Sequence, residues 1–287
     1  MIAEQYRKML DAKSVIRQLS EKATKRAQII GAENVFDYSL GNPSVPAPAE
    51  FKQALLDLIE KEDPMTLHGY SPTLGIPSVK TAIAESLNCR FDMNYGPEHI
   101  FPVSASMIDK THSKMGNEIL TFAPFFPEYH PYVDLTGAVL KVVPADTKSF
   151  QINFEAFEEM LGPRVAAVLV NTPNNPSGAV YSAETLTKLA QVLTRKAEQY
   201  GHDIFLISDE PYREIVFDGK QQPYVSKFYA NTISCYSFSK ALSLPGERIG
   251  YLAVNPACPY AAEIVNMCGQ ISRGIGHNCP TSLMQLA

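Results

Sequence analysis

Three apolar runs each end on side chains that could do chemistry. After Val165–Val170 comes Asn171-Thr-Pro-Asn-Asn-Pro-Ser-Gly178. After Ile204–Ile207 comes Ser208-Asp209-Glu210-Pro211-Tyr212, and after Thr232–Tyr236 comes Ser237-Phe238-Ser239-Lys240. An amide, a carboxylate with a phenol, and a lysine with hydroxyls are delivered in turn. Amines, carboxylates and phenols are groups that bond carbonyl carbons and move protons. Singly each signal is weak: Asn-Pro-Ser-Gly is an ordinary turn, and a lone lysine is usually a solvated charge. Order and spacing carry more, since Asn175, Asp209, Lys240 and Arg248 stand 34, 31 and 8 residues apart.

Those residues need strands to place them. Val165–Val170 and Ile204–Ile207 are apolar on both faces, as strands buried between two helical layers must be. Further strands are expected at 118–123, 138–143, 232–237 and 249–254, and a strand-like stretch at 35–40. Helices are expected at 14–31, 49–61, 75–89, 151–161, 183–200 and 259–272. In 14–31, Ser14 is the candidate cap and Gly31 the stop. In 183–200, Ser182 is the cap, with Leu186, Leu189, Ala190, Leu193 and Ala197 as the buried stripe. Alternating helices and strands predict an α/β fold with a largely parallel sheet. Ligands on such sheets lie beyond the carboxyl ends of the strands, where the polar residues fall. The proline-rich Gly41–Pro48 reads as extended and marks a domain boundary.

Composition narrows the classes. The chain has 287 residues, 45% apolar and 19% charged, with a net charge of −5. That is globular composition, with no basic footprint for nucleic acid or an anionic membrane. The longest uninterrupted apolar run, Val165–Val170, is far short of the roughly 20 residues of a membrane helix. Five cysteines without a C-x-x-C pair argue against a disulfide framework or zinc site and fit a cytoplasmic protein. The first ten residues carry no signal-peptide core. The histidines lack metal-ligand spacing, so no metal is expected. His277 reads as structural, and Gly274-Ile-Gly276 lacks the third glycine of a dinucleotide site.

With its order and spacing, the Asn175, Asp209, Tyr212, Lys240 and Arg248 set resembles the class I/II aminotransferases, pyridoxal-phosphate enzymes of fold type I. The resemblance runs from about residue 14 to the end of the chain. It includes Gly69-Tyr-Ser-Pro-Thr-Leu-Gly75 and Pro124-Phe-Phe-Pro-Glu-Tyr129. Its most specific part is SFSKALSLPGERIG at Ser237–Gly250. It implies a three-layer αβα large domain with a mainly parallel seven-stranded sheet over residues 46–270. Residues 1–45 would belong to the small domain and the interdomain link, and 271–287 would begin the rest of that domain.

The resemblance also implies roles. Lys240 would form the Schiff base with pyridoxal 5'-phosphate and shuttle the Cα proton, which a lysine does only with a lowered pKa. Asp209 would hold the pyridine nitrogen protonated. Tyr212 and Asn175 would bond the phenolic oxygen, and Arg248 and Ser237 the phosphate. Ser239 is placed between a phosphate contact and a helix cap. Ser104, Ala105 and Ser106 would add phosphate donors at a helix start. Phe126 would stack on the pyridine, with Phe125 as its rival. Tyr70 would reach the phosphate of the neighbouring subunit, implying a homodimer with shared sites, and Gly41 would lie against the substrate.

The implied activity is exchange of an amino group between an L-amino acid and a 2-oxo acid, 2-oxoglutarate first, in ping-pong fashion. A carbon–sulfur β-lyase uses the same lysine and aspartate, and a truncated non-catalytic cofactor-binding homologue is a third reading. Two departures from the family stand out. Met107–Asn117 is short and polar where a longer helix is usual. The chain also stops at Ala287, before the part of its relatives that carries the carboxylate-binding arginine.

Overall fold

Val165–Asn171 (β4) is buried along its whole length, an interior strand of a seven-stranded sheet. The protein is described here from a computed structural model, which covers residues 15–103 and 116–287. The strands are β1 Ile100–Val103, β2 Glu118–Phe122, β3 Val139–Val143, β4, β5 Phe205–Asp209, β6 Thr232–Ser237 and β7 Gly250–Val254. Their spatial order is β1-β7-β6-β5-β4-β2-β3. The pairs among β6, β5, β4, β2 and β3 are parallel, whereas β7 runs antiparallel to both β1 and β6. Chain order runs outward in both directions from β2, so the carboxyl ends of β2, β4, β5 and β6 open side by side on one edge.

Alternation of side chains across the pleat clothes both faces. On one face Leu120, Phe122, Val168, Val170 and Leu206 pack with Leu186, Leu189 and Leu193 of the helix Ala183–Tyr200. On the other, Ile119, Ala167, Leu169 and Ile207 meet Tyr129 and Val133 of the helix Tyr129–Asp134. Each fully buried leucine contributes about 1.5–3 kcal/mol, so these layers hold the sheet between them. At the β1–β7–β6 end, Phe101, Ile233 and Leu252 pack with Ile264, Val265 and Cys268 of Ala261–Gly274. Opposite them, Ile100, Tyr236 and Tyr251 pack with Ala84 and Leu87 of Pro77–Phe91.

Most expected elements form. The helix at 183–200 has the expected bounds, and the Ser182 side chain accepts from the Thr185 N–H as its cap. The helix expected from 75 begins at Pro77, because proline suits the first helical position, where its missing N–H costs nothing. The strand-like stretch at 35–40 forms no strand: a one-turn 3₁₀ helix at Ala32–Asn34 leads into non-regular chain. Phe36 and Tyr38 there are 79% and 92% exposed, so its alternation buries nothing. Conversely, Ile100–Val103 joins the sheet although it reads poorly as a strand. Its Pro102 cannot donate to a ladder and is tolerated because β1 lies at the sheet edge.

The chain divides into two compact units, one up to Pro46 and one from Ala47 to Ala287. In the first, Val15–Ile30 is helical and buries none of its residues within the chain. Gly31 follows it at φ 90°, a conformation that favours glycine. Its candidate cap, Ser14, lies outside the described residues. In the second unit, the closing helix Ser282–Leu286 docks on the 69–76 segment. Ser282 Oγ donates to the Gly69 carbonyl at 2.8 Å, and Ile76 N–H donates to Gln285 Oε1 at 3.0 Å. Among the described residues no helix is long and apolar enough to cross a membrane. No group of three or more His, Cys, Asp or Glu there could hold a metal ion.

Candidate active site

Asp209 is the last residue of β5, on the same face of the sheet as Ile207. Tyr129, buried at 2% exposure, donates its O–H to Asp209 Oδ2 at 2.5 Å. Solvent still reaches part of the Asp209 side chain, but the packing around it desolvates the carboxyl and pushes its pKa up to about 6. The Tyr129 bond opposes that rise. Burial and the neighbouring carboxylate in turn drive the Tyr129 phenol well above its usual value, so it stays a donor.

Glu210, next in sequence, is turned away. Its carboxylate pairs with Arg213 Nη1 at 3.1 Å and accepts from Ser234 Oγ at 3.1 Å. Arg213 also donates to Glu214 and Tyr251 and lies over the Tyr236 ring at 4.2 Å. Pairing matters because an unpaired buried carboxylate is costly. The adjacent acids are thus divided: one neutralised by arginine, the other kept at the open edge.

The loop after β4 is tied to its surroundings by asparagines. Asn171 Nδ2 donates to the Asp209 carbonyl at 2.9 Å, and its Oδ1 accepts the Asn175 N–H at 2.7 Å. Asn174 Nδ2 donates to the Pro124 carbonyl at 3.2 Å, joining this loop to the one carrying Phe125 and Phe126. The Asn175 side chain lies by the Tyr212 phenol, and its influence opposes the rise that burial gives the Tyr212 pKa. Phe126 meets Tyr129 edge-on at 5.7 Å, and Phe125 lies nearly parallel to Tyr129 at 6.4 Å.

After β6, Ser237 caps the single helical turn Phe238–Ala241: its Oγ accepts from the Ser239 N–H at 3.1 Å and donates to Ser239 Oγ at 2.7 Å. The cap is Ser237, therefore, and Ser239 is the residue being capped. Lys240 is half-buried, its pKa lowered by that burial, with Nζ 6.0 Å from the centre of the Tyr212 ring. Gly250 opens β7 where an added Cβ would stand 2.3 Å from the Tyr236 carbonyl oxygen, so only glycine fits beside the lysine-bearing strand. Arg248, at φ 54°, donates from Nη1 to the Pro245 carbonyl at 2.7 Å.

The sheet edge therefore gathers Asp209, Tyr212, Asn175 and Lys240 into one neighbourhood, with Ser237 at the same strand end as Lys240 and Arg248 just past it. Tyr70 is 90% exposed on the second unit. Gly41 belongs to the first unit. Ser104, Ala105 and Ser106 lie outside the described residues. Two residues of this neighbourhood received no role from the sequence. Tyr129 closes the aromatic Pro124–Tyr129 motif and Asn171 opens the Asn171–Gly178 loop, so motif membership was the only signal for either.

Comparison with known proteins agrees with this edge. The model of the family "Aminotransferase class I and II" matches residues 33–287. Aromatic-amino-acid aminotransferase 2 of Thermococcus litoralis is 28% identical over 233 residues, 78% of this chain and 57% of that protein. A probable aspartate/prephenate aminotransferase of Aquifex aeolicus is 30% identical over 254 residues, 83% of this chain and 60% of that one. This chain thus spans less than two thirds of either relative. A crystal structure of an amino transferase from Eubacterium rectale, 42% identical, superposes over 100% of this chain and 74% of its own with a TM-score of 0.94. Since the matched region takes in the sheet and all four strand ends that carry these side chains, the chain belongs to the class I and II aminotransferase family.

Proposed function

We propose that this protein is a pyridoxal-phosphate-dependent aminotransferase, exchanging an amino group between an L-amino acid and a 2-oxo acid such as 2-oxoglutarate. The observation that carries the reading is the pairing of a desolvated lysine, Lys240, with a desolvated carboxylate, Asp209, at adjoining parallel strand ends. The donor set fits the cofactor. An amine of lowered pKa suits an aldehyde, and a buried carboxylate suits a ring nitrogen that must be cationic. The Asn175–Tyr212 pair suits a phenolic oxygen. Ser237 and Arg248 follow as donors for the phosphate. When bound, the cofactor supplies an electron sink for the substrate's Cα.

The chain's own residues do the rest. Lys240 holds the cofactor through its amine. When not engaged with the cofactor, its amine would take and return the substrate's Cα proton, a task its burial-lowered pKa favours. Asp209 holds positive charge on the ring nitrogen, and Tyr129 keeps that carboxylate oriented and ionised. Phe126 would stack on the ring. Tyr212 and Asn175 fix its phenolic oxygen. By the family resemblance, Gly41 would back the substrate, and Ser104, Ala105 and Ser106 would add to the phosphate donors.

We place the enzyme in the cytoplasm, in amino acid metabolism, as a homodimer whose sites each borrow Tyr70. The exposure of Tyr70 leaves its phenol available to a second subunit. The domain division follows the family: 1–45 with the small domain, 46–270 the cofactor-binding domain, and 271–287 leading back to the small domain. Borohydride reduction of the cofactor-loaded protein and peptide mapping test the central assignment. The adduct is expected on Lys240; label on Lys220 or Lys227, or none, would refute it.

A further inference from the structure

Asn171 ends β4 at 4% exposure and stands in register with Asp209 of β5. Its side chain continues the ladder between the two strands by one bond, from Nδ2 to the Asp209 carbonyl at 2.9 Å. The other end of the same amide accepts the backbone N–H of Asn175 at 2.7 Å. Asn175 in turn neighbours Tyr212, three residues past Asp209. One side chain is thus tied both to the end of β5, at the Asp209 carbonyl, and to the Asn175 backbone in its own loop. Only a side chain with both a donor and an acceptor on one short planar group makes both of the Asn171 links. Asn174, three residues on, bonds Pro124 and Ser177 instead, so the two asparagines serve different elements.

We propose that Asn171 is a positioning residue that fixes Asp209 and Asn175 relative to each other. Both polar atoms of its buried side chain are engaged by those two residues, so it acts through them. The proposal rests on the reading of Asp209 and Asn175 as groups that face the cofactor ring. The two strand ends belong to separate loops, and without a shared amide each would settle independently. An ångström of drift between groups that address opposite ends of one ring is enough to weaken both contacts.

Pyridoxal 5'-phosphate is titrated into the wild type and into Asn171→Ala, Asn171→Ser, Asn175→Ala and the Asn171→Ala/Asn175→Ala double variant. The readouts are Kd by fluorescence quenching, the pH midpoint of the bound cofactor's absorbance, and Tm without cofactor. Asn171→Ala is expected to bind the cofactor about tenfold more weakly. Its midpoint should move in the direction that Asn175→Ala moves it, and the double variant should move little further, because both changes disable the same contact. Asn171→Ser, too short to span both partners, should behave likewise and serves if the alanine variant does not fold. A purely structural role would lower Tm and leave the midpoint in place, which overturns the proposal. So do independent, additive midpoint shifts. A wild type that takes up no cofactor fails at the first titration and overturns the functional reading and the proposal together. Normal wild-type uptake with unchanged variants overturns the proposal alone.

Discussion

Replacing Asp209 by asparagine should stabilise the cofactor-free protein while weakening its hold on the cofactor. The side chains are nearly isosteric, and the asparagine oxygen still accepts the Tyr129 O–H, so packing is little changed. What disappears is a desolvated charge. Below about pH 3 the carboxyl is protonated in both folded and unfolded chains and costs almost nothing. As pH rises from the ordinary 3.8 towards the folded value of about 6, the unfolded chain releases its proton first. Folding is then progressively disfavoured, and above that value the penalty is complete. The difference converts to an upper limit of about 3 kcal/mol. For a unit of this size that is a gain of roughly 5–10 °C in Tm for Asp209→Asn near neutral pH. Calorimetry on both proteins freed of cofactor, from about pH 3 to 8, checks it: the curves should meet at the acid end and part above it. With cofactor the order should reverse, since the tighter-bound ligand stabilises more and only the wild type offers a carboxylate to the ring nitrogen. A variant no more stable than the wild type at pH 7.5, or a gap independent of pH, would refute the claim that Asp209 is held ionised at a cost.

Other perturbations separate site from scaffold. Tyr129→Phe removes a donor to a charged acceptor, an effect of about 1.5–3 kcal/mol. The Asp209 pKa should rise, and the acid limb of the kcat/KM profile with it. An unmoved limb in pH-rate measurements would count against the coupling. Ser182→Ala removes the cap of the Ala183–Tyr200 helix and should cost about 1 kcal/mol in urea unfolding, with cofactor affinity unchanged. Leu189→Ala, at a position of zero exposure between helix and sheet, should cost about 2–5 kcal/mol in the same assay. Tyr70→Phe should loosen the cofactor without changing Tm. Mixing it with Lys240→Ala subunits should restore activity beyond either parent, because mixed dimers hold one intact site; a monomer by light scattering defeats the shared-site arrangement.

Much of this was legible in the sequence because strand ends in a parallel sheet are marked by composition. Fully apolar Val165–Val170 and Ile204–Ile207 must be buried on both faces, and the first polar residues after them must emerge at the carboxyl edge. That logic located Asn175, Asp209 and Lys240 before any coordinate, and local propensity set the bounds of the 183–200 helix. Long-range effects were beyond it. Val35–Leu40 alternates like a strand yet pairs with nothing, whereas Ile100–Val103, interrupted by a proline, becomes one because β7 offers it an edge. A strand is defined by its partner, and the partner lies some 150 residues away. The support of the site is of the same kind. Nothing local distinguishes Tyr129 from other buried tyrosines, or Asn171 from the asparagines at 174 and 175. Tyr129 acquires its role when the fold brings it, 80 residues distant in sequence, to the Asp209 carboxylate. Asn171 acquires its own when β4 and β5 align in register. Residue types and their spacing determined which groups were available for chemistry. Burial, register and the hydrogen bonds between distant segments decided which of them carry shifted pKa values and are held together, because desolvation and strand pairing exist only once the chain is folded.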